Sequence, residues 1–148
     1  MACTFGPFPP RPKPVFATFR YVKVLVDKAY DMTETDHQTD ADAKPALAGV
    51  RVLELGTFIS APFAATLLGD FGADVLKIEL PGVGDPMRTL GAYPPEGDSS
   101  YWWSQIARNK RSLALDVRKP EGRDILGRLI TTADVLIENF RPGTLERW

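Results

Sequence analysis

An α/β fold with a Rossmann-like parallel sheet and flanking helices is the class this sequence predicts, and three observations predict it. Short apolar runs of strand length alternate with longer stretches whose apolar residues recur at helical spacing. The first two runs, joined by a helix-length stretch that a glycine closes, read as a βαβ unit. The second and fourth runs end in polar residues, Glu79 and Glu138–Asn139, at the carboxyl ends of strands, where such sheets hold their ligands.

Val50, Val52, Leu53 and Leu55 form the first run, compact and apolar as for a strand buried on both faces. Gly56 to Ser60 is the turn out of it. Pro62 suits the first turn of the helix that follows, because its missing N–H would be unpaired there, and Ser60 stands close enough to cap. Phe63, Ala64, Leu67, Leu68 and Phe71 recur on one face and are the expected buried stripe of a helix from about Ala61 to Phe71. Gly72 then sits where a left-handed C-cap is wanted. Val75, Leu76 and Ile78 give the second strand, reached by a right-handed crossover.

Between Pro81 and Asp98 glycine and proline break the pattern into loops beside the strand ends. Ser99 or Ser100 caps a short helix bearing Tyr101, Trp102, Trp103 and Ile106, an aromatic cluster read as an anchor against the sheet or a partner chain rather than a ligand-stacking platform. Leu113, Leu115 and Val117 alternate with Ala114 and Asp116, the pattern of a third strand with one wetter face. Pro120 opens a helix with Ile125, Leu126, Leu129, Ile130 and Ala133 on its inner stripe, and Val135 to Ile137 is the fourth strand. Trp148 falls within what reads as the next helix, so the sequence is expected to be the front part of a longer protein whose further elements cover the sheet.

The 148 residues have room for one ordinary domain, and 18 basic against 19 acidic residues leave no field that would steer nucleic acid or an anionic membrane. Residues 1–46 read as a disordered or extraneous N-terminal extension and 47–148 as the folded part. Five of the thirteen prolines fall in the first fourteen residues, which favours extended chain over a packed element. Phe16 to Tyr30 is a short apolar and basic patch with the pattern of either a helix or a strand. Asp31 to Lys44 is polar and reads as a solvated linker, and Met32 is the expected biological start. The basic residues Arg11, Lys13, Arg20 and Lys23 allow a mitochondrial transit reading, subordinate to a cytoplasmic one because the prolines oppose an amphipathic helix. One cysteine, Cys3, and one histidine, His37, offer neither a disulfide nor a metal cluster.

Dinucleotide binding is the default for such a βαβ opening, and Glu79, about 23 residues beyond Gly56, stands near the position of a ribose-binding acid. The turn Gly56-Thr57-Phe58-Ile59-Ser60-Ala61 opposes it, having one glycine where that fingerprint has three. An NAD-binding oxidoreductase therefore stands only as an alternative. Five ordered strings make a closer match: Leu47 to Leu55 with Ala61-Pro62; Leu68 to Glu79; Gly84 to Arg88; Asn109 to Asp116; and Ala133 to Gly143. Together they resemble the family III CoA-transferases, the CaiB/BaiF type that includes formyl-CoA transferase, over nearly all of residues 47–148.

The resemblance implies acyl-CoA and a carboxylic acid as substrates, with coenzyme A lying across the carboxyl ends of the strands and no covalently bound cofactor. Carried over residue by residue, the CoA contacts are Ile59 and Ser60 in the first turn, Leu80 after the second strand, Leu115, Asp116, Val117 and Arg118 after the third, and Asn139, Phe140, Arg141 and Arg147 after the fourth. Backbone amides near a helix start and arginine guanidinium groups suit phosphates, while an apolar turn suits adenine or the pantetheine arm. Two positions depart from some members, which carry arginine in place of Leu80 and glutamine in place of Ile59. The family transfers CoA through an aspartate that forms an anhydride and then an aspartyl-CoA thioester. That aspartate is expected beyond Trp148, so no catalytic residue is assigned within the chain, and the chain is expected to be inactive alone. Racemases of the same family share the opening strings and remain an alternative activity, as does a non-catalytic interaction fragment. Full-length members resemble interlocked homodimers.

Overall fold

The computed structural model describes residues 44–148, together with strands β1 (Val15–Phe19) and β2 (Val22–Val26). The readings made for Cys3, Met32, His37 and the proline-rich leader lie outside the described residues. From Lys44 onward the elements are β3 (Arg51–Glu54), α1 (Ser60–Asp70), β4 (Asp74–Glu79), a 3-10 turn at Pro86–Thr89, α2 (Tyr101–Ile106), β5 (Lys110–Ala114), α3 (Pro120–Ile130), β6 (Val135–Glu138) and a second 3-10 turn at Leu145–Arg147.

Four strands, β5-β4-β3-β6, form a parallel array in that spatial order. The chain winds outward from β3 through β4 to β5 and then returns to place β6 on the other side of β3. This is the reversal of winding that opens a crevice at the carboxyl ends of the strands. β2 pairs antiparallel with the outer edge of β6, and β1 pairs antiparallel with β2. Strand was one of the two readings open for this segment; its place on the sheet has no signature in the apolar pattern.

Alternation along β3 and β4 divides the core between two faces. Val52, Val75 and Ile137 pack with Ala61 and Ala65 of α1, while Leu53, Leu55 and Ile78 pack with Val117 and with Leu126 of α3. Because helices cover both faces, the strands carry apolar residues at successive positions rather than at every second one.

Four local expectations are corrected. The face that α1 buries is not the Phe63–Leu67–Phe71 stripe but the small-residue face Ala61, Pro62, Ala65 and Thr66. Phe63, Leu67 and Phe71 are 47%, 42% and 60% exposed. Close helix-to-sheet approach decides this, since a Cβ on Gly56 would overlap Ala61 Cβ and only small side chains fit that gap. Ser60 does not cap α1: Ile59 is the N-cap residue without a side-chain bond, and Ser60 Oγ instead accepts from Asn139 Nδ2 at 3.0 Å. The third strand begins at Lys110, three residues before the alternating run, and ends at Ala114. Only Leu115 N–H continues the ladder, donating to Glu79 O at 2.8 Å. On α3, Ile130 is exposed rather than inward.

Other local signals match. Gly72 takes φ +97°, and the bonds Gly72 N–H to Gly69 O and Ala73 N–H to Leu68 O close α1 in a Schellman arrangement. Ser100 caps α2, accepting from Trp103 N–H at 3.1 Å. Of the aromatic cluster, Trp103 lies beneath the Arg88 guanidinium of the 3-10 turn, 4.0 Å from ring centroid to Cζ, whereas Tyr101 and Trp102 are about half exposed rather than buried as an anchor.

Candidate functional site

The turn that leaves β3 runs Gly56-Thr57-Phe58-Ile59 and feeds the N-terminus of α1. Asn139, directly after β6, holds it from the far side of the crevice: its Oδ1 accepts from Thr57 N–H at 2.9 Å, and its Nδ2 donates to Thr57 O at 2.8 Å. A side-chain amide has both a donor and an acceptor to give, so one Asn satisfies both backbone groups of Thr57. A Cβ on Gly56 would come within 2.7 Å of Asn139 Oδ1, so the glycine is what lets strand end and amide meet.

Beneath the turn lies a group of buried charges. Lys77 Nζ is 2.6 Å from Glu54 Oε1 and 2.8 Å from Asp85 Oδ2. Lys110 Nζ is 2.7 Å from Glu54 Oε2 and donates to Pro62 O at 2.6 Å. Two ammonium and two carboxylate groups make the cluster neutral, which is the condition for burying it. The side chains of Lys77, Glu54, Asp85 and Lys110 are all at most 2% exposed. Burial lowers the pKa of Lys110, opposed by the Glu54 carboxylate beside it.

Glu79, at the end of β4, is fully engaged. Arg88 donates to both of its oxygens at 2.8 and 2.9 Å, Ser112 Oγ donates at 2.6 Å, and Asp85 N–H donates at 2.9 Å. Burial pushes this carboxyl up, but the bonds from Arg88, Ser112 and the Asp85 backbone outweigh it and hold the pKa down at about 2. With its lone pairs so occupied, Glu79 has no role on a ribose hydroxyl, and the dinucleotide reading loses its one supporting residue.

A cavity of about 270 Å³ opens at the carboxyl ends of the strands. Among the expected CoA contacts, Leu80, Leu115, Asp116, Val117, Arg118 and Phe140 line it. Ile59 and Ser60 lie outside the lining, exposed at the start of α1. Asn139 braces the turn, while Arg141 and Arg147 are exposed past β6. At the rim, the Arg118 guanidinium bonds both Asp116 oxygens at 2.8 and 3.0 Å, and those bonds hold the Asp116 pKa down to about 2. Phe140 and Trp148, both in the lining, meet edge to face with ring centroids 5.1 Å apart.

Sequence reasoning missed Lys77, Glu54, Asp85 and Lys110 as site residues. A signal was present: Glu54 and Lys77 stand inside runs otherwise built for two-sided burial, where a charge persists only with a partner.

A parallel α/β sheet with its crevice at the strand ends, and an apolar slot with arginine at the rim, put the candidate site where domains of this α/β class hold their ligands. Residues 47–148 match the family described as CoA-transferase family III, and the chain belongs to that family. It is 53% identical over 102 residues to succinyl-CoA–D-citramalate CoA-transferase of Chloroflexus aurantiacus, covering 69% of this chain and 25% of that protein. Formyl-CoA:oxalate CoA-transferase of Rhodopseudomonas palustris is 48% identical over 102 residues, with 69% and 24% covered. A CaiB/BaiF family protein from Brucella suis superposes with a TM-score of 0.65 at 40% identity, covering 71% of this chain and 28% of that one. The chain thus spans about a quarter of the length of the curated relatives it matches.

Proposed function

We propose that this chain forms the CoA-binding wall of an acyl-CoA:carboxylate CoA-transferase, with residues 47–148 as the N-terminal part of the large domain. The acyl donors and acceptors in the relatives' names, succinyl-CoA with citramalate and formyl-CoA with oxalate, favour a small dicarboxylic acid as acceptor. The observation that carries the reading is the cavity at the strand ends, where Leu80, Leu115, Val117 and Phe140 make an apolar slot beside the Arg118 guanidinium. Pantetheine or adenine fits the slot, and phosphate suits the cation. Ile59, Ser60, Asn139, Arg141 and Arg147 extend this surface past the first turn and past β6. The working enzyme is a homodimer in the cytoplasm.

The nucleophile that opens the thioester is none of Asp70, Asp74, Asp85 or Asp116. Each is bound by a cation: Arg108, Arg111, Lys77 and Arg118 respectively. A carboxylate held against a cation in this way is not free to attack a thioester. Titration calorimetry of the chain with CoA, beside dephospho-CoA and NAD, tests the reading. Binding of CoA without exchange of CoA between succinyl-CoA and a dicarboxylate is the expected result. Binding of NAD with none of CoA would overturn it.

A further inference from the structure

Phe58 has a left-handed backbone, φ 62°, a conformation that is uncommon for a bulky L residue and that persists only where surroundings impose it. Packing does not impose it, since the Phe58 side chain is half exposed. What reaches the Phe58 backbone is Asp85. Its Oδ1 accepts from Phe58 N–H at 3.2 Å and from Met87 N–H at 2.9 Å, so the same oxygen caps the 3-10 turn and holds the strand-end turn. Its Oδ2 faces Lys77 Nζ at 2.8 Å, an ion pair without hydrogen-bond geometry. Lys77 in turn donates to Gly56 O at 2.9 Å, two residues before Phe58. Both ends of the segment Gly56–Phe58 are therefore gripped by one ion pair. Glu54 and Lys110 fix that pair from below.

We propose that Lys77 and Asp85 are positioning residues for the first turn, a buried clamp that holds Gly56 and left-handed Phe58 so that the start of α1 meets CoA in a preset shape. The functional part of this rests on the CoA-binding reading above. A turn set in advance loses less freedom when ligand arrives, so the clamp acts on affinity rather than on chemistry. Lys77 and Asp85 also stand in the cavity wall, but their side chains are at most 2% exposed, and in this account Asp85 acts through the backbone of Phe58.

Glycine adopts positive φ without strain, which supplies a test that a merely structural role would not answer. The Phe58 amide is expected to be protected from hydrogen exchange in the unmutated chain; in the Asp85→Ala chain it is expected to exchange freely and CoA affinity to fall about tenfold. In a Phe58→Gly background the same Asp85→Ala change is expected to cost no more than about threefold, because the turn then reaches its conformation unaided. Equal losses in the two backgrounds would overturn the clamp, as would a Phe58 amide that exchanges freely in the unmutated chain. Should Asp85→Ala not fold, Asp85→Asn, which keeps an acceptor for Phe58 N–H, is expected to retain the amide protection, and its loss there would count against the proposal. If no version binds CoA while Phe58 is protected and Asp85→Ala releases it, the clamp stands and the ligand assignment falls.

Discussion

Glu54 and Lys77 are direct partners in the register of the parallel pair β3–β4, and their charged atoms meet at 2.6 Å with both side chains out of water. Removing one partner of such a pair costs more than the pair contributes, because the survivor stays buried without compensation. Lys77→Met leaves Glu54 with Lys110 and deprives Asp85 of its ammonium. The expected loss is about 3–5 kcal/mol in urea unfolding. Arg111→Met breaks an ion pair of the same length with Asp74, but that pair is largely exposed, and the expected loss is below about 1 kcal/mol.

Acid stability should report Glu79. Its folded pKa of about 2 lies below the ordinary 4.5, so its contribution is complete above pH 4.5 and is lost as pH falls toward 2. The ceiling on that contribution is about 3 kcal/mol. Arg88→Met removes the two guanidinium bonds and leaves only Ser112 and the Asp85 backbone. The Glu79 pKa then rises, and unfolding followed by circular dichroism is expected to begin at a higher pH than in the unmutated chain. An unmoved acid limb would count against Glu79 as its source.

Two glycines of α3 should respond oppositely to the same substitution. A Cβ on Gly122 would overlap the carbonyl of Asp116, whereas one on Gly127 meets nothing. Helix propensity alone favours alanine at both by about 1 kcal/mol. Gly127→Ala should gain roughly that, seen as a raised Tm. Gly122→Ala should lose about 1–3 kcal/mol, because backbone rather than a flexible side chain must move.

Legibility followed the residue's reason for being where it is. Val52, Leu53, Val75 and Ile137 are buried for their apolarity alone, and their pattern announced the parallel strands. On α1 the pattern misled: Phe63 and Leu67 are the larger apolar groups, yet shape complementarity put Ala61 and Ala65 against the sheet. Hydrophobicity ranks side chains by size, and a close helix-to-sheet approach reverses that ranking. The cavity gathered Leu80 and Leu115 to Arg118 because consecutive strand ends are neighbours in any such sheet. The Lys77–Asp85 clamp was not legible, since it depends on residues eight apart meeting through a loop whose path no periodicity describes.

The exposed stripe on α1 carries its own expectation. Phe63, Leu67 and Phe71 lie four residues apart, hence on one face, and form an apolar surface of the kind that promotes association. Leu67→Glu should lower light scattering of the concentrated chain while leaving stability within about 0.5 kcal/mol, as an exposed site predicts. A large loss of stability would mean that Leu67 is packed in solution.

Arg118 and Arg108 allow a cation at the cavity to be compared with one away from it. Both are paired with an aspartate, Arg118 with Asp116 at the cavity rim and Arg108 with Asp70 at the end of α1. Only Arg118 lines the cavity. If CoA phosphate meets that rim, Arg118→Leu should weaken CoA binding about tenfold and flatten its dependence on salt, because one screened charge contact has gone. Arg108→Leu should leave both the affinity and the salt dependence where they were. Asp116→Asn removes the carboxylate that competes with phosphate for the Arg118 guanidinium and should therefore tighten binding at low salt. Equal behaviour of Arg118→Leu and Arg108→Leu would put the phosphates elsewhere on the molecule, whatever the apolar slot holds.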